Sequence, residues 1–149
     1  FGEPGTNGQH SFYQLLHQGT DIVPLQFIGF KNSQLGVDVD IENSTSQQKL
    51  CANVAAQIIA FACGKKDENL NKNFKGKRPS SIIVGDKLTP ASLGALLAHF
   101  ENKIMFQGFV WNLNSFDQEG VQLGKILAKR VLAHDTDGAL KVFSDMLNI

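Results

Sequence analysis

The chain has 149 residues and a mass of 16.3 kDa, which is enough to bury a hydrophobic core in one domain without disulfides or a metal. Its 14 Lys and Arg residues balance 14 Asp and Glu residues, so there is no net basic charge to attract nucleic acid. The longest uncharged stretch, residues 50–64, is too short and too polar to span a bilayer, so no membrane segment is predicted.

The first residues predict a loop, a helix and a strand in that order. Three glycines and a proline favour a loop at residues 2–8, and apolar residues at helical spacing predict a helix at residues 9–18, ended by Gly19. The apolar and β-branched run at residues 22–30 is typical of a strand buried on both faces.

A long helix is predicted after a polar stretch at residues 36–43. Ser44 and Gln47 fit a capping box, which starts a helix that runs to Cys63. Cys51 and Cys63 then lie about 18 Å apart along the helix axis, so they cannot form a disulfide with each other. We expect both to be buried, reduced thiols.

The second half predicts one more strand and three helices. A solvated connector at residues 65–78, with a short helix near Asn69, leads to a strand at residues 81–84. Thr89 as N-cap and Pro90 in the first turn start the next helix. The three helices are expected at residues 90–107, from a cap-like Ser115 and Gln118 to residue 132, and at residues 138–147. The residues expected to lie on packed faces are Leu93, Leu97, Phe100 and Ile104 in the first of these helices, Val121, Gly124, Ala128 and Val131 in the second, and Leu140, Phe143 and Leu147 in the last.

This order of elements predicts an α/β fold with a parallel sheet. Two apolar strands are too few for a covered parallel sheet, because a strand buried on both faces needs neighbours on each side. We therefore expect the chain to be part of a longer fold.

Two motifs that suggest ligands are incomplete. The segment Gly120-Val-Gln-Leu-Gly-Lys125 has three residues between its glycines where a P-loop has four, which argues against a nucleotide site. Asp38, Asp40 and Glu42 alternate as in a cation site, but no further ligands complete the pattern, so a solvated loop is favoured and no metal is predicted.

A polar stripe on the predicted helix that ends at residue 132 has two interpretations. Gln118, Gln122, Lys125 and Lys129 recur at intervals of four, three and four, and seven residues of helix bring Lys125 to within about 20° of Gln118. Periodicity alone fits either a solvated face or a functional one. His10, a single histidine after the glycine-rich residues, is equally open to both interpretations.

Three motifs resemble the phosphoglucose isomerase family. They are GEPGTNGQHSFYQLLHQGT at residues 2–20, KLTPASLGAL at residues 87–96 and GFVWNLNSFDQEGVQLGK at residues 108–125. The resemblance implies a three-layer α/β fold of the sugar-isomerase (SIS) type, here a partial C-terminal segment with flanking helices. Residues 1–149 would form the remnant of the second SIS subdomain and the C-terminal helices, without the N-terminal portion.

The same resemblance implies an activity. Members of the family interconvert glucose 6-phosphate and fructose 6-phosphate in glycolysis and gluconeogenesis, without metal or organic cofactor, as cytoplasmic homodimers whose active sites are shared between subunits. By position, His10 resembles the ring-opening histidine, which reaches the neighbouring subunit's site. Lys125 resembles the lysine at the ring oxygen, and Gln118 resembles a substrate-contacting glutamine.

The resemblance also implies what these residues lack. The family's carbon-acid base is a glutamate upstream of the Gly-Glu-Pro-Gly motif, and Glu3 lies inside that motif, so it does not match. We therefore expect residues 1–149 alone to be inactive. The alternative is a non-catalytic SIS module that binds a sugar phosphate and regulates a partner.

Overall fold

The structure is a computed structural model that describes residues 2–149. It divides into two units, the first ending at Leu97 and the second spanning Ala98–Ile149. The helices are α1 (Gly5–Ser11), α2 (Tyr13–Gln18), α3 (Ser46–Cys63), a 3-10 turn (Leu70–Lys72), α4 (Pro90–Trp111), α5 (Glu119–Leu132) and α6 (Gly138–Met146). The strands are β1 (Leu25–Asn32), β2 (Asp40–Ile41), β3 (Ser44–Thr45) and β4 (Ser80–Lys87).

The predicted α/β class with a parallel sheet is confirmed. β1 and β4 pair in parallel, from Leu25 opposite Ser80 to Asn32 opposite Lys87, and α3 packs on both strands as the crossover between them. Full burial of the first strand is wrong for the described residues, because half-buried and exposed residues alternate along much of β1 and Ile28 is exposed. Two strands with one helix packed on them leave part of the sheet open.

The start of the chain is more helical than expected. The predicted loop at residues 2–8 is wrong beyond Pro4, whose carbonyl accepts hydrogen bonds from the backbone N–H groups of Asn7 and Gly8, so α1 begins at Gly5. The single helix predicted at residues 9–18 is interrupted at Phe12, where φ is −133° and ψ is 1°. His10 therefore lies in the last turn of a short helix and not in a first turn.

The N-terminus of α3 is capped one residue later than predicted. The capping box uses Thr45, whose hydroxyl accepts from the N–H of Gln48, and Gln48, whose side chain accepts from the N–H of Thr45. The short hairpin of β2 and β3 also brings the carboxylate of Asp38 to the N–H of Gln47 at 2.7 Å. This bond is the main cause of a lowered Asp38 pKa. The Asp38 carboxylate therefore stabilises the N-terminus of α3 and is not set aside as a cation ligand.

The thiols of α3 are free but not buried. Cys51 and Cys63 are both exposed, which contradicts the predicted burial. Cys63 is the last residue of α3. The pattern of apolar residues along a helix did not reveal this exposure.

The connector after α3 folds back onto the helix end. Lys65 and Phe74 exchange backbone hydrogen bonds of 2.9 and 2.8 Å. Gly64 and Gly76 both have positive φ, and a Cβ on either would collide with the backbone of the other arm, so both positions require glycine. The 3-10 turn confirms the short helix expected near Asn69.

The core of the first unit centres on Phe61, which has no exposed surface. The ring of His17 stacks on it at 3.9 Å between centroids, Tyr13 meets its edge at 5.2 Å, and Phe27 lies 6.4 Å away. Phe61 thereby joins α2, α3 and β1.

The C-terminal elements have the expected order with different ends. β4 is longer than the four residues predicted at 81–84, and α4 starts as predicted, with the N–H of Ser92 donating to the hydroxyl of Thr89, but continues to Trp111. The cap predicted at Ser115 is wrong, because its hydroxyl donates to the carbonyl of Ile104 and does not cap α5.

Much of the predicted packing on these helices is absent from the described residues. In α4, Leu93, Leu97 and Ile104 are exposed, and only Phe100 of the predicted stripe is half-buried. In α5, Val131 is half-buried, whereas Val121, Gly124 and Ala128 are exposed. In α6, Leu140 is half-buried, whereas Phe143 and Leu147 are exposed. Helical periodicity shows which side chains share a face but not whether another element covers that face.

We expect Phe61→Ala to lower the free energy of unfolding by about 3–5 kcal/mol, because it empties the centre of the first unit's core. Urea titration of the 149-residue chain would measure this loss. Phe116→Ala, at a side chain 79% exposed, is the matched control and should change stability by less than about 0.5 kcal/mol. Equal losses in the two variants would contradict this view of the core.

Candidate active site

His10 is exposed near the end of α1. Its ring Nε2 lies 3.2 Å from the side-chain nitrogen of Gln9. The side-chain oxygen of Gln9 in turn accepts hydrogen bonds from Asn53 at 3.1 Å and Gln57 at 3.5 Å. The position of His10 is therefore linked through one amide to two side chains of α3.

Sequence reasoning missed these three amides as site residues. Asn53 and Gln57 are four residues apart, so they share one face of α3, and they interrupt an otherwise apolar stretch. That spacing was the available signal. What the sequence did not indicate was that Gln9 would lie opposite them.

A cavity of about 450 Å³ lies beside α1 in the first unit. Pro4, Gly5 and Thr6 line one side of it, and residues of β1, β4 and α3 line the rest. Most of this lining is apolar, with Asn53 among the few polar groups. Asn53 therefore both lines the cavity and donates a hydrogen bond to Gln9.

Arg78 holds the end of α2 in place. Arg78 is 6% exposed as a residue. Its guanidinium donates to the carbonyl oxygens of His17 at 3.0 Å and Gly19 at 2.8 Å, while its backbone N–H donates to the carbonyl of Phe61. The sequence placed Arg78 in a solvated connector, and that expectation is wrong. A guanidinium carries five donors in a planar fork, which suits it to gather several carbonyls.

His17 is held in its neutral form by this packing. Burial is the main cause of a lowered His17 pKa, and the positive charge of Arg78 adds to it. Within residues 2–149, Nδ1 of His17 and Nε of Arg78 are buried without a hydrogen-bond partner. His17 therefore acts here as a packing ring against Phe61.

In the second unit, Gln118 and Lys125 lie at the start and in the middle of α5. Gln118 is the N-cap, with φ −137° and ψ 31°, and its carbonyl accepts from the N–H of Gln122 at 3.0 Å. Its side chain does not cap the helix. Gln118 therefore lies at the N-terminal boundary of α5, whereas Gln122, Lys125 and Lys129 lie within the helix.

The structure thus describes His10 in one unit and Gln118 and Lys125, both exposed, in the other. Across residues 2–149, no cluster of three or more His, Cys, Asp or Glu side chains is arranged to hold a metal ion. In the same range, no helix is both long and apolar enough to cross a bilayer.

Comparison with known proteins gives concordant matches. The family model described as "Phosphoglucose isomerase" matches residues 1–145. The glucose-6-phosphate isomerase of Treponema denticola is 72% identical over 147 residues, which is 99% of this chain and 28% of that protein. The Treponema pallidum (strain Nichols) protein of the same name is 66% identical over the whole chain and again 28% of its own length.

A solved structure matches as well. The crystal structure of a glucose-6-phosphate isomerase from Chlamydia trachomatis superposes with a TM-score of 0.83 at 50% identity, covering 99% of this chain and 29% of that one. The chain therefore spans about 28% of the length of the curated relatives that it matches.

We expect acidification to weaken the first unit through His17. Because its folded pKa is lowered, the unfolded chain binds the proton more tightly, so stability is complete above the unfolded value of 6.5 and is lost as the pH falls below it. Urea midpoints at pH 7.5 and 5.5 would show the loss, and His17→Phe, which keeps a ring but cannot gain charge, should reduce it.

His99→Phe, at an exposed histidine, is the matched control and should keep the wild-type pH dependence. An unchanged pH dependence in His17→Phe would rule out this role. The lowered pKa of Asp38 acts in a more acidic range, below its ordinary 3.8, and does not overlap this window.

Proposed function

Because the chain belongs to the phosphoglucose isomerase family, we propose that it carries the ring-opening and substrate-contacting groups of a glucose-6-phosphate isomerase. The reaction is the reversible interconversion of glucose 6-phosphate and fructose 6-phosphate. The observation that carries the proposal is the family match over residues 1–145, which includes His10, Gln118 and Lys125.

In this proposal, each of the three residues has a role in opening the sugar ring or in binding the substrate. A cyclic hemiacetal opens when the proton of the anomeric hydroxyl leaves and the ring oxygen gains a proton as its bond to C1 breaks. An imidazole exchanges protons readily near pH 7, so His10 serves this transfer. The ammonium of Lys125 stabilises the departing ring oxygen by a hydrogen bond, and the amide of Gln118 binds a substrate hydroxyl.

The isomerisation step needs a further group. Moving a proton between C2 and C1 through an enediol requires a carboxylate base, and we propose that it lies outside these 149 residues. The chain spans about 28% of its relatives' length, which leaves room for that base and for a phosphate site. In this proposal the chain is the C-terminal part of a SIS-type enzyme without its N-terminal portion.

The proposal extends to assembly and location. We propose that the whole enzyme is a cytoplasmic homodimer, in which His10 enters the site of the neighbouring subunit. Its exposed position on α1 is compatible with a contact beyond its own subunit. Because a purely regulatory sugar-phosphate module would have no need of ring-opening groups, the presence of His10 and Lys125 favours the enzyme.

We expect the purified 149-residue chain to show no measurable conversion of fructose 6-phosphate, because in this proposal the carbon-acid base lies outside these residues. A chimera in which this chain replaces the segment that it matches in the Treponema denticola enzyme should restore conversion. A coupled dehydrogenase assay on both proteins makes the comparison. Activity in the short chain would refute the assignment of the base, and a folded but inactive chimera would refute the enzyme proposal.

In the chimera, we expect His10→Ala and Lys125→Ala to slow exchange between the anomers of glucose 6-phosphate by about 10²-fold or more. NMR exchange spectroscopy measures that step directly. Turnover of an open-chain substrate should change much less, because no ring has to open.

Lys129→Ala, one turn further along α5, is the matched control for Lys125→Ala and should leave both rates unchanged. Equal losses on cyclic and open-chain substrates would count against the ring-opening roles.

A further inference from the structure

The loop between α4 and α5, residues 112–118, is attached to the last turns of α4. The hydroxyl of Ser115 donates a hydrogen bond to the carbonyl of Ile104 at 3.2 Å. The N–H of Leu113 donates to the carbonyl of Gly108 at 2.8 Å. All four residues belong to the second unit, so the attachment lies within one compact part of the chain.

Gly108 leaves the space that this attachment needs. It is buried, and a Cβ at its position would overlap Oγ of Ser115 and lie 2.9 Å from the carbonyl oxygen of Leu113. The second of these atoms belongs to the backbone, so it cannot rotate away from an added side chain. A Cβ on Gly94, in the same helix, would meet no such neighbour within 4 Å. The loop can therefore approach α4 this closely only where the helix has a glycine.

The attachment lies just before Gln118 in the chain. The N–H of Phe116 donates to the side-chain oxygen of Asn114 at 3.0 Å, which closes a turn around Ser115. Gln118 follows two residues later as the N-cap of α5, and its carbonyl accepts from the N–H of Gln122. The Gln118 side chain is exposed and makes no capping hydrogen bond. The position of its amide therefore depends on where the backbone enters α5.

We propose that Ser115 is a positioning residue, whose hydrogen bond to Ile104 beside Gly108 sets the place from which Gln118 reaches the substrate. The proposal rests on the proposed function, in which Gln118 binds a substrate hydroxyl. Ser115 acts through Gln118 and does not itself contact the substrate. A hydrogen bond tolerates only a narrow range of distances and angles, so a backbone shift of about 1 Å at Gln118 would weaken it.

Amide hydrogen exchange in the 149-residue chain tests the attachment without any catalysis. Gly108→Ala and the milder Ser115→Ala should each speed exchange at the N–H of Leu113, by about tenfold in Gly108→Ala. Gly94→Ala is the matched control and should leave that exchange rate unchanged. Unchanged exchange in Ser115→Ala and Gly108→Ala would overturn the proposal, and Ser115→Ala decides alone if Gly108→Ala does not fold.

A double-mutant cycle in the chimera tests the consequence for the substrate. Gln118→Ala should raise KM for fructose 6-phosphate by about three- to tenfold and leave kcat within about twofold, because it removes a hydrogen bond made in the ground state. Ser115→Ala should also raise KM, but it should add nothing in the Gln118→Ala background. Additive effects would show that Ser115 supports the structure in general and would overturn the positioning role.

The same kinetic data separate this proposal from the proposed function. An unchanged KM in Gln118→Ala would refute the substrate contact assigned to Gln118, and the positioning role with it. A raised KM in Gln118→Ala with an unchanged KM in Ser115→Ala would overturn the positioning role alone and leave the proposed function intact.

Discussion

The packing of the His17 ring on Phe61, together with the buried Arg78, is the interaction on which the first unit depends. Phe61 comes from α3, His17 from α2 and Arg78 from the residues just before β4, so one cluster joins three segments that are distant in the chain. The Arg78 guanidinium donates to the carbonyls of His17 and Gly19, and its backbone N–H donates to the carbonyl of Phe61. Because its charge is buried without a carboxylate partner among residues 2–149, the carbonyl dipoles must compensate it, and a second positive charge on His17 is disfavoured.

This cluster also sets the frame in which His10 lies. α1 is a short helix, and helices of that length have little stability of their own. It is held through the aromatic residues that follow it and through Gln9, which reaches α3. In the role proposed for His10, a proton-transfer group has to be held in a narrow range of orientations, and the packing around Phe61 supports that requirement. The first unit thereby couples an ordinary hydrophobic core to the orientation of one imidazole.

The polar residues mark where sequence reasoning succeeded and where it did not. The Thr89 cap and the helix end at Cys63 follow from local rules, because each depends on neighbours in the chain. The parallel pairing of two strands follows from the alternation of strands and helices along the chain. The burial of Arg78 and the role of Asp38 depend on residues brought in from elsewhere, which no local pattern contains. The cap of α3 was misplaced by one residue because Ser44 and Thr45 both suit the position, and the β2–β3 hairpin decides between them.

By itself the sequence determined the α/β class, the order of most elements and, through three long motifs, the family and the candidate residues His10, Gln118 and Lys125. These features are encoded by residue type and spacing, which can be recognised without knowledge of tertiary contacts. Only the tertiary structure decided that Gln9 lies between His10 and the amides of α3, and that Gln118 is the N-cap of α5 without a capping side chain. Hydrogen-bond partners and side-chain proximity are set where segments distant in the chain come into contact, and local sequence patterns do not specify those contacts.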